Sequence, residues 1–286
     1  MEGIRVEPIL EGRFALDGGA MFGIIPKPLW NRTNPADSSN RIDLSARCML
    51  IRHPTAGNIL VDAGIGTKWD DKGRAIYKIR HQEDDGTTLG IEGSLKAAGL
   101  TPDDIDHVIL THLHLDHAGG LTRWADERCE DVVPVFAGKP HYVMQEHWAW
   151  ANSPSVRDRG SFIPRDFRFL EATPDAAPLH LLAGQTELFP GVTLIPRYGH
   201  TQAMSCVKVD AEDATYIYLA DLIPTSGHLK IPYVMGYDLQ PLITCREKQE
   251  ILSEAARHNW RLFFEHDPTT AWCHIEPYKR GYRQAK

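Results

Sequence analysis

Short apolar runs bounded by turn residues recur along the chain, and several lead directly into a histidine or an aspartate. ARCMLIRH (46–53) and NILVDAG (58–64), separated by PTAG, read as paired strands. IEGSLKAA (91–98) reads as a helix closed by Gly99. TPDD follows as a short helix, with Thr101 as N-cap, Pro102 in the first position and Asp104 three residues after the cap. It feeds the apolar strand HVILT (107–111). VTLIP (192–196), TYIYLA (215–220) and RLFF (261–264) repeat the strand habit. Between the last two, Thr244 and Glu247 form a capping-box pattern that opens an amphipathic helix to about His258, with Ile251, Leu252, Ala255 and Ala256 apolar. Two stretches break the rhythm. The first 45 residues are rich in Gly, Pro and Asn and predict a short hairpin and a long loop, with Met21, Phe22, Ile24, Ile25 and Trp30 exposed. Residues 141–172 are aromatic, charged and interrupted by Pro154 and Pro164, which predicts a helical or loop excursion outside the core sheet.

The stretch THLHLDHAGG (111–120) carries the densest chemistry. With fourteen histidines in the chain some clustering is expected by chance, but the ordered spacing His112, His114, Asp116, His117 is not. His200 follows VTLIP, Asp221 follows TYIYLA and His266 follows RLFF. Four separate strands thus deliver His or Asp to their carboxyl ends, where sites in such sheets are assembled. Imidazole nitrogen and carboxylate oxygen without thiolate form a ligand set suited to zinc, and also to manganese, iron or cobalt. Five histidines and two aspartates exceed what one tetrahedral ion takes. Two divalent ions with one bridging carboxylate use all seven, an arrangement that generates hydroxide near neutral pH.

Composition narrows the alternatives. At 286 residues the chain can bury a sizeable core. A formal net charge of -7 speaks against a broad nucleic-acid surface. No run of eighteen apolar residues predicts a membrane span, and MEGIRVEPIL lacks the pattern of a secretory signal. Five scattered cysteines without a Cys-x-x-Cys pair suit free thiols in a reducing cytoplasm.

THLHLDHAGG, YGHTQAMS, YLADL and FFEHDP together resemble the successive metal motifs of the metallo-β-lactamase-fold hydrolases, and ILVDAGIG resembles their first motif. The resemblance spans roughly residues 46–268. It implies an α+β fold, a four-layer αβ/βα sandwich. By resemblance His112, His114 and His200 hold the first metal, Asp116, His117 and His266 hold the second, Asp221 bridges, and Asp62 orients a histidine. The expected layout is one domain over 1–286 with residues 141–172 as a cap.

Within that group, MFGIIPKPLW and DLIPTSGHLKIPYVMGYD are most similar to N-acyl-homoserine lactonases, the quorum-quenching enzymes, and to related organophosphate hydrolases. A metal-bridging hydroxide would attack the carbonyl, with Asp116 or a bound water passing a proton to the leaving oxygen and Asp221 bridging. The lactonases usually carry a tyrosine three residues after the bridging aspartate. Here that position is Pro224, and Tyr233, His228 or Tyr237 are candidates to replace it. Met21, Phe22, Trp148 and Trp150, with His228 and Tyr233, are candidate pocket residues for a small-molecule substrate with an apolar portion. Further alternatives are a phosphotriesterase or arylesterase, a glyoxalase II-like thioesterase using Lys279, Arg280, Arg283 and Lys286, and a metal-binding domain without turnover. Homodimers are common among similar enzymes, and no nucleic acid or membrane partner is expected.

Overall fold

The computed structural model describes residues 3–83, 85–172, 177–279 and 281–285, so Arg280 and Lys286 of the basic C-terminal group lie outside the described residues. The chain divides into two compact units, Met1–Arg13 with Ala46–Gly184, and Phe14–Ser45 with Gln185–Lys286.

The first unit is built on β1 (Arg5–Asp17), β2 (Arg41–His53), β3 (Gly57–Val61) and β4 (His107–Ile109), a small hairpin β5 (Thr122–Trp124) and β6 (Val132–Pro134), then β7 (His141–Met144) and β8 (Leu179–Leu182). The main sheet has the order β1-β2-β3-β4-β7-β8. β2 and β3 pair antiparallel with Met49 opposite Val61, as two apolar runs joined by the turn PTAG predict, while β3, β4, β7 and β8 run parallel. Parallel strands are covered on both faces and need continuous apolar runs. Leu60, Val108 and Val143 accordingly share one core with Leu95, Leu110, Leu113 and Phe136. The helix Ile91–Ala97 forms as expected. The TPDD turn is tighter than an α-helix, a 3₁₀ turn at Pro102–Asp104 with the capping box intact.

Residues 141–172 are not the excursion that their composition suggests. His141–Met144 is an internal strand, followed directly by the helix Gln145–Asn152. Phe162, Phe167 and Leu170 are buried in the same core, and Trp148, Trp150 and Phe169 pack against it. The aromatic excess is packing material, and Pro164 opens a short helix, Pro164–Phe167, instead of breaking one.

The second unit is built on β9 (Thr186–Phe189), β10 (Val192–Arg197), β11 (Met204–Asp210), β12 (Thr215–Tyr218), β13 (Arg261–Phe263) and β14 (Trp272–Cys273), in the order β14-β13-β12-β11-β10-β9. A hairpin of β15 (Ile275–Tyr278) and β16 (Gly281–Gln284) follows. β12 and β13 are parallel, joined through the helix Pro241–His258, which ends at Asn259 in the left-handed region (φ 53). The helix begins four residues earlier than the Thr244–Glu247 pattern predicts, with Gln240 as N-cap and Pro241 in its first turn. Glu247 is drawn elsewhere: its carboxylate accepts the backbone N–H groups of Tyr198 (2.7 Å) and Gly199 (3.0 Å). The early loop also differs from expectation. Asp17 caps a short helix, Gly18–Phe22, and Met21, Phe22 and Trp30 are buried while Ile24 stays exposed. Among the described residues no helix is long and apolar enough to cross a membrane.

Candidate metal centre

Each unit carries a group of potential ligands at the carboxyl ends of its strands. In the first, the chain leaves β4 at Ile109 and turns so that His114 immediately precedes the short helix Leu115–Ala118. His112, His114, Asp116 and His117 are all buried. Asp62, one residue beyond β3, holds the group from beneath. Its Oδ1 accepts the Thr111 N–H (2.8 Å), and its Oδ2 accepts the Thr111 hydroxyl (2.7 Å) and faces His117 Nδ1 at 3.1 Å. Because the Thr111 proton is committed to Asp62, its oxygen can only accept from His112 Nδ1, 3.1 Å away. Both rings therefore carry hydrogen on Nδ1 and a lone pair on Nε2, and their centroids lie 3.8 Å apart. Asp62 achieves this with a left-handed backbone (φ 60), a strained conformation of the kind that clusters at working sites.

The tail of the same loop is tied down by a buried lysine. Lys68 Nζ donates to the carbonyls of Gly119 and Thr122 and pairs with Asp166 at 3.2 Å. Burial pushes the Asp166 carboxyl up to about 6 and the Lys68 amine down. His147, which has no strand-end signal, is fully buried and its Nε2 accepts the Leu113 N–H at 2.8 Å.

In the second unit three strand ends supply one ligand each. His200 follows β10, Asp221 lies in a turn after β12 beside the left-handed Ala220 (φ 45), and His266 follows β13. His200 Nδ1 lies 2.9 Å from Asp238 Oδ1, and His266 Nδ1 donates to the Ser45 carbonyl at 2.8 Å. Both Nε2 atoms then point at one carboxylate: His200 Nε2 is 3.1 Å from Asp221 Oδ2, and His266 Nε2 is 3.0 Å from Asp221 Oδ1. Two imidazole nitrogens and two carboxylate oxygens thus converge within 3.0–3.1 Å, a grouping that could hold a cation. The donor types, nitrogen and oxygen without sulfur, suit zinc, manganese, iron or cobalt.

The elements behind His200 leave it little freedom. Asp238 Oδ2 also accepts the Met235 N–H, and the N–H groups of Leu239 and Gln240 donate to the carbonyls of His200 and Gly199. A Cβ on Gly199 would sit 2.4 Å from the Thr244 nitrogen, so only glycine lets the helix approach this closely. One residue after Glu247, the fully buried Lys248 donates to the carbonyls of His228 (2.7 Å), Lys230 (2.9 Å) and Tyr233 (2.6 Å).

The candidate pocket residues have mostly structural surroundings. Phe22 is stacked between Trp30 and His228, at centroid distances of 5.4 and 4.1 Å, with Tyr233 at its edge. His228 is buried, with Nδ1 on the Thr225 hydroxyl and Nε2 on the Met21 carbonyl, and desolvation lowers it to about 3. It is neutral and has no nitrogen left for a substrate, so it cannot stand in for the lactonase tyrosine. Met21 and Tyr233 are likewise buried, and the Tyr233 hydroxyl accepts from Lys230. Trp148 packs on Phe167, and Trp150 donates to Asp158. Within 141–172 the Phe162 ring meets a candidate ligand edge-on, 4.7 Å from His114. Sequence reasoning missed Asp238, Lys248 and His147, and assigned Glu247 to a helix cap instead of to the Tyr198 and Gly199 amides.

The family profile described as the metallo-beta-lactamase superfamily matches residues 41–272. An N-acyl homoserine lactonase, AttM, from Rhizobium radiobacter is 25% identical over 278 residues, covering 92% of this chain and 95% of that protein. Among solved structures, a probable metal-dependent hydrolase from Staphylococcus aureus superposes with a TM-score of 0.85 at 26% identity, covering 100% of this chain and 98% of the other. AidC, a dizinc quorum-quenching lactonase solved with the product N-hexanoyl-L-homoserine, superposes with a TM-score of 0.78 at 18% identity, over 100% of this chain and 95% of its own. With that profile covering most of its length and its histidines and aspartates at the strand ends, the chain belongs to the metallo-beta-lactamase superfamily and has its fold.

Proposed function

We propose that the protein is a dinuclear metal-dependent hydrolase of lactones, with acyl-homoserine lactones and related esters as its first substrate class. The observation that carries this reading is the Asp221 carboxylate faced by the Nε2 atoms of His200 and His266, whose Nδ1 atoms are already engaged. In this reading His112, His114 and His200 hold one divalent ion, Asp116, His117 and His266 hold the other, and Asp221 bridges. Two ions held there would acidify water towards neutral pH and polarise the carbonyl under attack. Zinc is the first expectation, as in the dizinc relative AidC. Asp62 and Asp238 keep the imidazoles in the tautomer that presents Nε2. Asp116 would take up the proton of the hydroxyl that has added to the carbonyl and hand it to the alkoxide as the C–O bond breaks. The lactonase activity of AttM, across 95% of that relative's length, supports the substrate class.

A second reading concerns the leaving group. Pro224 offers neither donor nor acid where lactonases place a tyrosine, and His228 has no nitrogen to spare. Aryl phosphotriesters and aryl esters release a phenolate that needs little protonation, so they are favoured over alkyl lactones to the extent that no other acid serves.

The test is a kinetic panel on metal-reconstituted protein with bound metal measured in parallel: acyl-homoserine lactones of graded length, δ-lactones, aryl esters, an aryl phosphotriester and S-lactoylglutathione. Two equivalents of metal with highest kcat/KM on lactones supports the first reading. Preference for the aryl substrates supports the second. Full metal with no turnover on any of them would make the protein a metal-binding domain.

A further inference from the structure

We propose that His147 is a positioning residue that fixes the His112–Leu113–His114 backbone from the neighbouring helix, and so sets the geometry of two of the proposed metal ligands; this rests on the metal-centre reading above. His147 lies in the first turn of the helix Gln145–Asn152, immediately after β7, and is fully buried. Its Nε2 accepts the Leu113 N–H at 2.8 Å. An N–H can only donate, so this Nε2 is the unprotonated nitrogen and the neutral ring carries its hydrogen on Nδ1. The lone pair that another histidine would offer a cation is here committed to a backbone amide, which keeps His147 out of the ligand set although its ring centroid is 6.0 Å from that of His112.

The amide it holds joins His112 to Leu113, in the stretch between the two proposed ligands. Leu113 is anchored in the first unit's core by its side chain. The rings of His112 and His114, the residues on either side of that anchored leucine, lie edge to face with centroids 4.5 Å apart. Holding the Leu113 N–H restrains the stretch of backbone that carries both histidines. Phe162 completes the support, edge-on to His114 at 4.7 Å and 5.9 Å from His147. The helix after β7 therefore does for the backbone of the loop what Asp62 does for its imidazoles. Nothing in the HxHxDH motif encodes this contact, because the partner lies 34 residues away.

The experiment compares wild type, His147→Leu and His147→Gln, the last keeping a side-chain acceptor. Hydrogen exchange of the Leu113 amide is measured in metal-free protein, the visible absorption spectrum after cobalt(II) loading, and zinc affinity by chelator competition. Removing the acceptor is expected to speed Leu113 exchange, alter the cobalt spectrum and weaken zinc binding about 10–100-fold, the usual effect of losing a group that supports a ligand. Glutamine should restore most of the spectrum and affinity. A His147→Leu protein with the wild-type spectrum and affinity overturns the proposal, as does a loss that glutamine leaves unrepaired. Imidazole ¹⁵N shifts of the metal-free wild type give a test that needs no variant: protonated Nε2 on His147 also overturns it. Wild-type protein that takes up no cobalt would instead defeat the metal-centre reading, so the two failures are distinguishable.

Discussion

The two units place their candidate ligands in opposite ways. The first draws four from a single loop of six residues, His112 to His117, while the second draws His200, Asp221 and His266 from three strand ends. A compact loop can crowd its imidazoles by sequence spacing alone, but it has few backbone hydrogen bonds of its own and must be braced from outside. Asp62, Thr111, Lys68 and His147 supply those braces. Strand ends are already fixed by the sheet, so the second unit needs support mainly where His200 leaves β10, and Asp238 and Glu247 supply it there. Density of ligands is thus exchanged against density of supporting contacts.

Substitutions can break this comparison or sharpen it. The largest effect is expected from Asp221→Ala, which removes the carboxylate shared by two histidines, and from His112→Ala. Each should lower hydrolysis by on the order of 10³-fold or more, the scale of losing a group that stabilises developing charge, and lower bound metal by elemental analysis. Full activity in either variant would refute the ligand assignment. Next comes the buried lysine of each unit. Asp166→Asn leaves Lys68 without its carboxylate and should cost about 3 kcal/mol in urea unfolding, since breaking a buried pair strands a charge. Lys248→Met has no contacting carboxylate to strand and should cost less, about 2 kcal/mol, from the carbonyls left unpaired.

The orienting carboxylates come third. Asp62→Asn and Asp238→Asn should each weaken zinc binding about 10–100-fold, with Asp62 the worse because Thr111 and His117 both depend on it. Equal effects would remove the contrast between loop and strand ends. Smaller still is a pH effect confined to the second unit. His228 is held neutral, with its titration lowered to about 3 against 6.5 in the unfolded chain. Between those values the unfolded state binds the extra proton, so this contribution to stability is present above 6.5 and is lost as pH falls towards 3. His228→Gln should flatten the acid limb of the stability profile measured by thermal melting. The smallest effect is expected from Trp148→Ala on substrate choice. Trp148 packs on Phe167 against the core, so the variant should lose stability while the ratio of long-chain to short-chain kcat/KM stays unchanged.

The same contrast explains how much the sequence could tell. The histidine loop is a local pattern and stands out by spacing. The positions of His200, Asp221 and His266 were readable because each follows an apolar run, and apolar runs announce strands. Their supports were not readable, because each is a long-range partner chosen by the fold: Ser45 for His266, Glu247 for the 198–199 amides, His147 for Leu113. Thr244 and Glu247 imitate a capping box inside a helix that starts at Pro241, since spacing alone cannot show where a glutamate points. Met21, Phe22 and Trp30 were misjudged as exposed because glycine and proline around them signal turns without saying which side faces water.

The turn at Asp62 carries a consequence for how this position can vary. Its φ of 60 is comfortable for glycine and tolerable for asparagine or aspartate, and costly for most others. Glycine would keep the chain path and discard the carboxylate; glutamate would keep the charge and resist the path. Backbone and side chain thus filter the alternatives independently, and only asparagine passes the first filter while still offering an oxygen to Thr111. Drift at residue 62 has one narrow exit, and it leads to a neutral amide facing His117.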